Sequence, residues 1–236
     1  TSDQLNLEVK YSNKKELIGP LKEFYKLSYK YNDYIVWRRS NFNGKFVNIN
    51  KEGIRKSSQP DHLSENKYIF LGGSTIFGYG VKDSDTIPSF FSKLTSNNVI
   101  NLGETGYISR QSLALYSNYL IEKRLDKSYS TVISYDGAND IMQRCRKDIR
   151  GLETENQNLI RSRVDIKNGN IIKMLQSWQF IFNIFSRNRK SDTEFNCHND
   201  PIKAEFIADT LIASWRSIYY MAKGNDQRFV AVLQPI

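Results

Sequence analysis

The sequence is poor in the residues that build metal centres and disulfide frameworks. It contains 2 cysteines and 2 histidines in 236 residues. Cys145 and Cys197 lie far apart, with no C-x-x-C pair and no Cys/His spacing typical of a zinc site. The pattern therefore predicts two free thiols and no metal site, and no motif predicts a cofactor.

Long hydrophobic runs are also missing. No apolar run reaches the roughly 18 residues of a membrane span, and the first residues, TSDQLNLEVK, do not form a signal peptide. The sequence starts at Thr1 rather than Met, which leaves an upstream targeting segment open. Few cysteines and no visible signal leave the compartment unknown, with a slight preference for the cytoplasm.

Positive charge is in excess, but it is dispersed. Lys and Arg number 34 against 25 Asp and Glu, which gives a net charge of +9. The basic residues are scattered and form no run like those of nucleic-acid-binding arms. We expect no nucleic-acid partner, and no pattern indicates the oligomeric state.

Four short apolar runs predict buried parallel strands, at 68–72, 99–103, 131–137 and 229–235. They are rich in β-branched and aromatic residues and end at Gly or Pro. Helical patterns lie between them, at 88–94, from Ser109 onward and at 201–224. This alternation predicts an α/β fold with a doubly wound, mostly parallel sheet, whose ligand lies beyond the carboxyl ends of the strands.

Two segments stand outside this alternation. Residues 1–66 combine a charged helical stretch with a hairpin signal at Asn43-Gly44, and predict a small N-terminal α+β appendage to a domain at 67–236. Residues 145–200 predict an irregular insertion, in which apolar residues recur at helical spacing from Ile171 to Phe185. That stripe is typical of core packing or of a lid over the site, and both readings stay open.

The stretch YIFLGGSTIFGYG, residues 68–80, predicts a strand that enters a glycine-rich turn at Ser74. A phosphate-binding P-loop requires Lys and Ser or Thr after its last glycine, where this chain has Tyr79 and Gly80. A dinucleotide-binding turn requires a third glycine where Asp83 stands, and the nucleophile elbow G-x-S-x-G requires one where Ile76 stands. What remains is an accessible serine just after a strand.

Two further strand ends predict groups beside Ser74. The second run ends in NLGETGY, with Gly103, and the third in YDGAND, with Asn139. Because carboxyl ends of parallel strands meet at one edge of a sheet, we expect the Gly103 backbone N–H and the Asn139 amide to lie near Ser74. Such donors form an oxyanion hole when an ester carbonyl becomes tetrahedral.

The blocks GGST, NLGETG and GAND resemble those of the SGNH (GDSL-like) hydrolase family, over residues 66–236. The stretch LGGSTIFGYGV is especially similar to the sequences of members linked to bacterial surface-polysaccharide modification. The resemblance implies a flavodoxin-like three-layer sandwich, Ser74 as the nucleophile, and an oxyanion hole formed by Ser74, Gly103 and Asn139. Asp140 would have a structural role at the start of the next helix.

The family places its base in an Asp-x-x-His block after the last strand, and none occurs in this sequence. His198 is the candidate substitute, ahead of His62. We expect a C-terminal continuation beyond Ile236 to carry the block, and the chain to be nearly inactive without it. A catalytically inert domain is the remaining explanation.

These observations predict a serine esterase or acyltransferase that acts on acyl esters through an acyl-enzyme on Ser74, with O-acetyl groups of a carbohydrate as the expected substrate. The alternative is a non-catalytic carbohydrate-binding or assembly protein on the same fold. An Asp-x-x-His block encoded after Ile236 would favour the enzyme.

Overall fold

The computed structural model describes residues 14–62, 64–122, 130–147 and 194–235, together with positions 149, 151, 154 and 157. Its helices are α1 (Lys14–Phe24), α2 (Ser74–Phe77), α3 (Ile87–Thr95), α4 (Ser109–Glu122), α5 (Ala138–Arg144) and α6 (Pro201–Gly224). Its strands are β1 (Tyr29–Asn32), β2 (Val36–Arg39), β3 (Phe42–Asn43), β4 (Asn48–Ile49), β5 (Ser64–Gly72), β6 (Asn97–Asn101), β7 (Ser130–Asp136) and β8 (Arg228–Leu233). No helix among these residues is long and apolar enough to cross a membrane.

The chain divides into two compact units. The first comprises Thr1–Gly137 with Thr210–Ile236, and the second comprises Ala138–Asp209. The predicted lid stripe at 171–185 lies outside the described residues. The domain boundaries inferred from the sequence therefore stay a prediction.

A four-stranded parallel sheet is the centre of the first unit. Its strand order is β6-β5-β7-β8, and every neighbouring pair is parallel. Counted along the chain, the order is second, first, third, fourth, which is the flavodoxin-like arrangement. The predicted α/β fold with a mostly parallel sheet is confirmed, although β6 ends at Asn101, before the predicted Gly103.

Helices cover both faces of this sheet. On one face, Phe91 of α3 packs against Tyr68 and Phe70 of β5. On the other, Ser112 of α4 donates a hydrogen bond to Asp136 of β7, at 3.0 Å. Because successive residues of a strand point to opposite faces, Phe70 and Asp136 belong to different layers of the sandwich.

The helices begin and end at residues that suit those positions. The side chain of Thr86 caps α3 by accepting from Ser89 N at 3.2 Å, and Pro88 occupies the first turn. Asp200 caps α6 in the same way, accepting from Lys203 N at 3.0 Å. The helices predicted at 88–94, from Ser109 and at 201–224 are confirmed.

The N-terminal segment runs along the β6 side of the sheet. Strands β3 and β4 pair antiparallel around a loop in which Gly44 N donates to Val47 O, which confirms the predicted hairpin. Isolated bridges then connect Ile49 to Arg55 and Arg55 to Asn101 of β6. Backbone pairing therefore continues from the sheet into the N-terminal segment.

Candidate active site

Ser74 is the first residue of α2, immediately beyond the carboxyl end of β5. The chain turns at Gly72, whose φ is +150°, and a Cβ there would lie 2.5 Å from Tyr135 O. Ser74 is half-buried, and its carbonyl accepts from Gly78 N and Tyr79 N, both at 2.9 Å. Its hydroxyl makes no hydrogen bond to any described residue.

The Gly103 turn packs directly on α2. A Cβ at Gly103 would lie 2.5 Å from Phe77 N and 2.8 Å from the Ile76 side chain. The next residue, Glu104, donates its N–H to Gly72 O at 3.0 Å. The structure therefore brings the Ser74 and Gly103 turns together, as their positions at neighbouring strand ends indicate.

Asn101 links these two turns and is a residue that the sequence reasoning missed. Its amide nitrogen donates to Ile76 O at 2.9 Å, and its amide oxygen accepts from Gly103 N at 3.0 Å. Asn101 is 1% exposed. The Gly103 N–H is thus occupied here, and an oxyanion role for it requires exchange of this bond. An Asn two residues before a Gly is the local signal, because Asn side chains accept from the backbone two residues on.

Asn139 and Asp140 lie in the first turn of α5, which follows Gly137 at φ +121°. Asn139 is half-buried, and Asp140 is fully buried. An acidic side chain suits the first turn of a helix, because the backbone dipoles there favour negative charge. Both residues belong to the second compact unit, so the meeting of Asn139 with Ser74 stays a prediction.

Arg55 fixes the backbone that follows Ser74. Its guanidinium donates to Phe77 O at 3.0 Å, to Gly78 O at 2.9 Å and to Val81 O at 2.8 Å. Its Nε pairs with Asp83 at 3.0 Å. Burial lowers the pKa of Arg55, and the Asp83 carboxylate opposes this shift. Because guanidinium stays protonated even so, the end of α2 is held by a buried cation.

Arg38 and Arg39 act in the same way on the Gly103 turn. Arg38 donates to Leu102 O at 3.4 Å and to Gly53 O at 2.8 Å. Glu104 is fully buried and accepts from Arg39 N at 3.0 Å, while the Arg39 Nε lies 3.4 Å from its carboxylate. The N-terminal segment therefore holds both predicted catalytic turns.

The end of β8 also reaches the Ser74 turn. Gln234 donates its side-chain amide to the Thr75 hydroxyl at 2.8 Å, and its backbone N–H to Asp136 O at 2.8 Å. This places the carboxyl end of β8 beside that of β5 at the site.

The second unit holds the candidate base and a disulfide. His198 is exposed, and its Nε2 lies 2.9 Å from the Asn199 amide nitrogen. Its role as base stays a prediction, as does that of the exposed His62. No group of three or more His, Cys, Asp or Glu in the described part of the chain is arranged to hold a metal ion.

The prediction of two free thiols is wrong. Cys145 and Cys197 form a disulfide with their Cα atoms 5.2 Å apart. Backbone bonds pair the two segments, with Asn196 N donating to Cys145 O and Lys147 N to Glu194 O, both at 2.9 Å. Disulfides persist mainly in oxidising compartments, so the slight preference for the cytoplasm loses its basis.

No family model matches the chain, and no curated protein matches it. Several solved structures are similar to it. A lipolytic protein of the G-D-S-L family from Desulfitobacterium hafniense DCB-2 is 16% identical at a TM-score of 0.29, over 70% of this chain and 76% of that protein.

A second similar structure is AlinE4, described as an SGNH-hydrolase family esterase. It is 17% identical at a TM-score of 0.33, over 73% of this chain and 77% of its own. Both neighbours are SGNH or GDSL-family proteins. This is the family that the sequence motifs resemble. At such identities and TM-scores, the function of this chain has to rest on its own residues.

Proposed function

We propose that this chain is a serine esterase or acyltransferase domain that acts on acyl esters through an acyl-enzyme on Ser74. The position of Ser74 carries the proposal. Ser74 is half-buried and its hydroxyl is unpaired among the described residues, at the carboxyl end of a central strand and against the Gly103 turn. This is the edge at which ligands of open α/β sheets bind.

In the proposed reaction, Ser74 Oγ attacks the carbonyl carbon of the ester and transfers its proton to a base. The carbonyl oxygen becomes an oxyanion that accepts from the Ser74 N–H, which starts α2 and has no described acceptor, and from the Asn139 amide. The Gly103 N–H joins after it leaves Asn101. Collapse breaks the ester bond and releases the alcohol, which takes up a proton.

The acyl-enzyme is then resolved by water or by a sugar hydroxyl. The incoming oxygen attacks the acyl carbon, its proton goes to the base, and the bond to Ser74 Oγ breaks as Ser74 regains a proton. Water gives hydrolysis, and a hydroxyl gives transfer. We assign the acyl group as acetyl and the alcohol as a carbohydrate, supported by the similarity of LGGSTIFGYGV to members linked to surface polysaccharides.

A base is required because a serine hydroxyl is a poor nucleophile at neutral pH. Ser74 Oγ contacts no imidazole among the described residues, and His198 is the candidate within the chain. Replacing His198 by Ala should abolish acetyl-ester hydrolysis if it is the base, whereas His62→Ala should not. Equal activity of His198→Ala and wild type would remove His198 from the mechanism.

Fluorophosphonate labelling of the full gene product tests the nucleophile. We expect labelling of the wild type and none of Ser74→Ala. Ser217→Ala is the matched control, because Ser217 lies on the exposed surface of α6 and donates to Ala213 O. Peptide mapping by mass spectrometry should locate the label on Ser74. A label on another residue, or equal labelling of Ser74→Ala, would contradict the proposal.

A non-catalytic carbohydrate-binding or assembly protein is the alternative. Such a protein would share the fold and the Ser74 turn but would have no base for Ser74. Saccharide binding without any Ser74-dependent labelling of the full gene product would favour it over the esterase.

A further inference from the structure

Three exposed tyrosines border the turns that carry Ser74 and Gly103. Tyr25, Tyr29 and Tyr79 are 60%, 52% and 50% exposed. Tyr79 N donates to Ser74 O at 2.9 Å. The Tyr29 hydroxyl lies 2.9 Å from that of Thr105, two residues after Gly103. We call these three side chains the tyrosine rim.

Buried side chains hold two rings of the tyrosine rim in place. The Tyr79 ring packs on the buried Phe24 ring, with centroids 4.9 Å apart. The Arg39 guanidinium lies 3.8 Å from the centre of the Tyr29 ring. Arg39 is itself fixed by Thr105, to which it donates at 2.8 Å, and by Glu104. Rings fixed in this way lose little conformational entropy when a ligand stacks on them.

Tyr25 directly follows Phe24 in the chain, and the Tyr79 ring packs on the Phe24 ring. Burial raises the pKa of Tyr79, Tyr25 and Tyr29 raise it further, and Arg39 opposes this rise without cancelling it. The phenol therefore stays protonated at neutral pH and can donate a hydrogen bond. Each member of the rim offers an apolar ring and a polar hydroxyl side by side.

We propose that the tyrosine rim binds the saccharide part of the substrate and presents its ester to Ser74. A sugar ring has C–H groups that pack on an aromatic ring and hydroxyls that pair with phenols. An acyl chain has no hydroxyls and would be better served by an enclosed apolar pocket. The rim is open and carries its own hydroxyls, which favours the sugar.

This assignment rests on the proposed function only in placing the reaction at Ser74. Binding to the rim does not use the Ser74 hydroxyl. The two ideas can therefore fail separately, because binding and labelling are measured independently.

Calorimetric titration of the chain with acetylated xylopentaose and with chitopentaose tests the rim. We expect one of them to bind, and Tyr25→Ala and Tyr79→Ala each to weaken that binding roughly fivefold. Tyr220→Ala is the matched control, since Tyr220 is 62% exposed on α6 and its ring packs on that of Tyr219. Tyr79→Phe should retain part of the affinity, because the ring remains. Thermal unfolding of every variant shows whether it is folded.

Three outcomes would contradict the proposal that the tyrosine rim binds saccharide. These are no binding of either oligosaccharide by the wild type, an equal loss in Tyr220→Ala, and Tyr79-dependent binding of octanoate in place of the sugars. Ser74→Ala should bind saccharide as the wild type does. Rim-dependent binding without fluorophosphonate labelling would leave the rim standing and refute the esterase.

Discussion

The two edges of the parallel sheet differ in the side chains that lie along them. Along β6, the N-terminal segment brings buried arginines against the backbone of the site, with Arg55 and Arg38 each 1% exposed. Along β8, apolar side chains face solvent, with Val230 44% and Leu233 63% exposed. The β6 edge is therefore fixed by buried charge, while β8 is held in the described structure by pairing with β7.

This difference bears on the proposed catalysis, because an oxyanion hole works best when its donors need little reorganisation. The Ser74 and Gly103 turns are both fixed from the β6 edge, by Arg55 and by the Arg39–Glu104 pair. Substitutions along β6 should therefore disturb stability and reactivity together. Substitutions of the solvent-facing side chains in the middle of β8, such as Val230 and Val232, should disturb neither.

The largest effect is expected from Arg55→Met. It leaves Asp83 buried without its cation and removes the guanidinium bonds to three backbone carbonyls. The free energy of unfolding should fall by about 3–5 kcal/mol, measured by urea denaturation. Arg55→Lys keeps the charge but loses the forked arrangement of N–H donors. Its free energy of unfolding should lie between those of the wild type and Arg55→Met. A loss of less than about 1 kcal/mol, typical of surface ion pairs, would contradict the view that buried charge fixes the β6 edge.

Gly103→Ala should have the next largest effect. Its Cβ would meet the backbone at Phe77 N and Ile76 C, at 2.5 and 2.9 Å, and neither atom can swing away. We expect a loss of about 1–3 kcal/mol and slower labelling of Ser74. Gly224→Ala is the control, because nothing lies within 4 Å of its Cβ. Equal stability of the two variants would show that the turns are not closely packed.

Glu23→Gln should cost less and depend on pH. The Glu23 carboxylate accepts from Lys45 N, Phe46 N and Val47 N at 2.8–3.0 Å. Burial alone would raise the pKa of Glu23, but these donors bring it below its usual value. The stabilisation by the Glu23 carboxylate is therefore present above the unfolded-state pKa and is lost as the pH falls through the folded-state pKa.

We expect wild type to exceed Glu23→Gln by about 1 kcal/mol at neutral pH. Urea denaturation should show this difference shrinking below about pH 4, where the unfolded carboxyl takes up its proton. A difference that does not change with pH would mean that the loop at 45–47 is held by shape rather than by charge.

The smallest effect is expected on the β8 edge itself. Val232 is 36% exposed, and Val232→Thr should change the free energy of unfolding by less than about 0.5 kcal/mol. Its counterpart on β6 is Val99, 3% exposed, where the same change buries a hydroxyl and should cost about 1–3 kcal/mol. Thermal unfolding of Val232→Thr and Val99→Thr compares the two edges directly. Similar losses of stability in the two variants would show that the edges do not differ.

The secondary structure near the site is predictable because its signals are local. Continuous apolar runs ending at glycine mark β5 and β7, and Pro88, Ser109 and Pro201 mark helix starts. The Ser74 and Gly103 turns follow from these strands, since parallel strands end at one edge. The hairpin at 42–49 follows from Asn43-Gly44.

The buried charges and the disulfide are not predictable in this way. Arg55 contacts carbonyls more than 20 residues away, and arginine is almost never fully buried unless paired. Cys145 and Cys197 are separated by 52 residues with no pairing motif between them. Each depends on the folded chain bringing distant segments together, which local periodicity does not record.

In the proposed reaction, the bond from Gly103 N to Asn101 would divide the molecules into a resting form that keeps it and a reactive form that has lost it. Only molecules in which the Asn101 amide has released this N–H would offer the full set of oxyanion donors. The observed rate would then scale with the population of the open form, and each 1.4 kcal/mol favouring the closed form would lower it about tenfold. A substrate whose carbonyl oxygen competes well for the N–H would shift that population itself, so selectivity could come from opening the site as well as from binding in it.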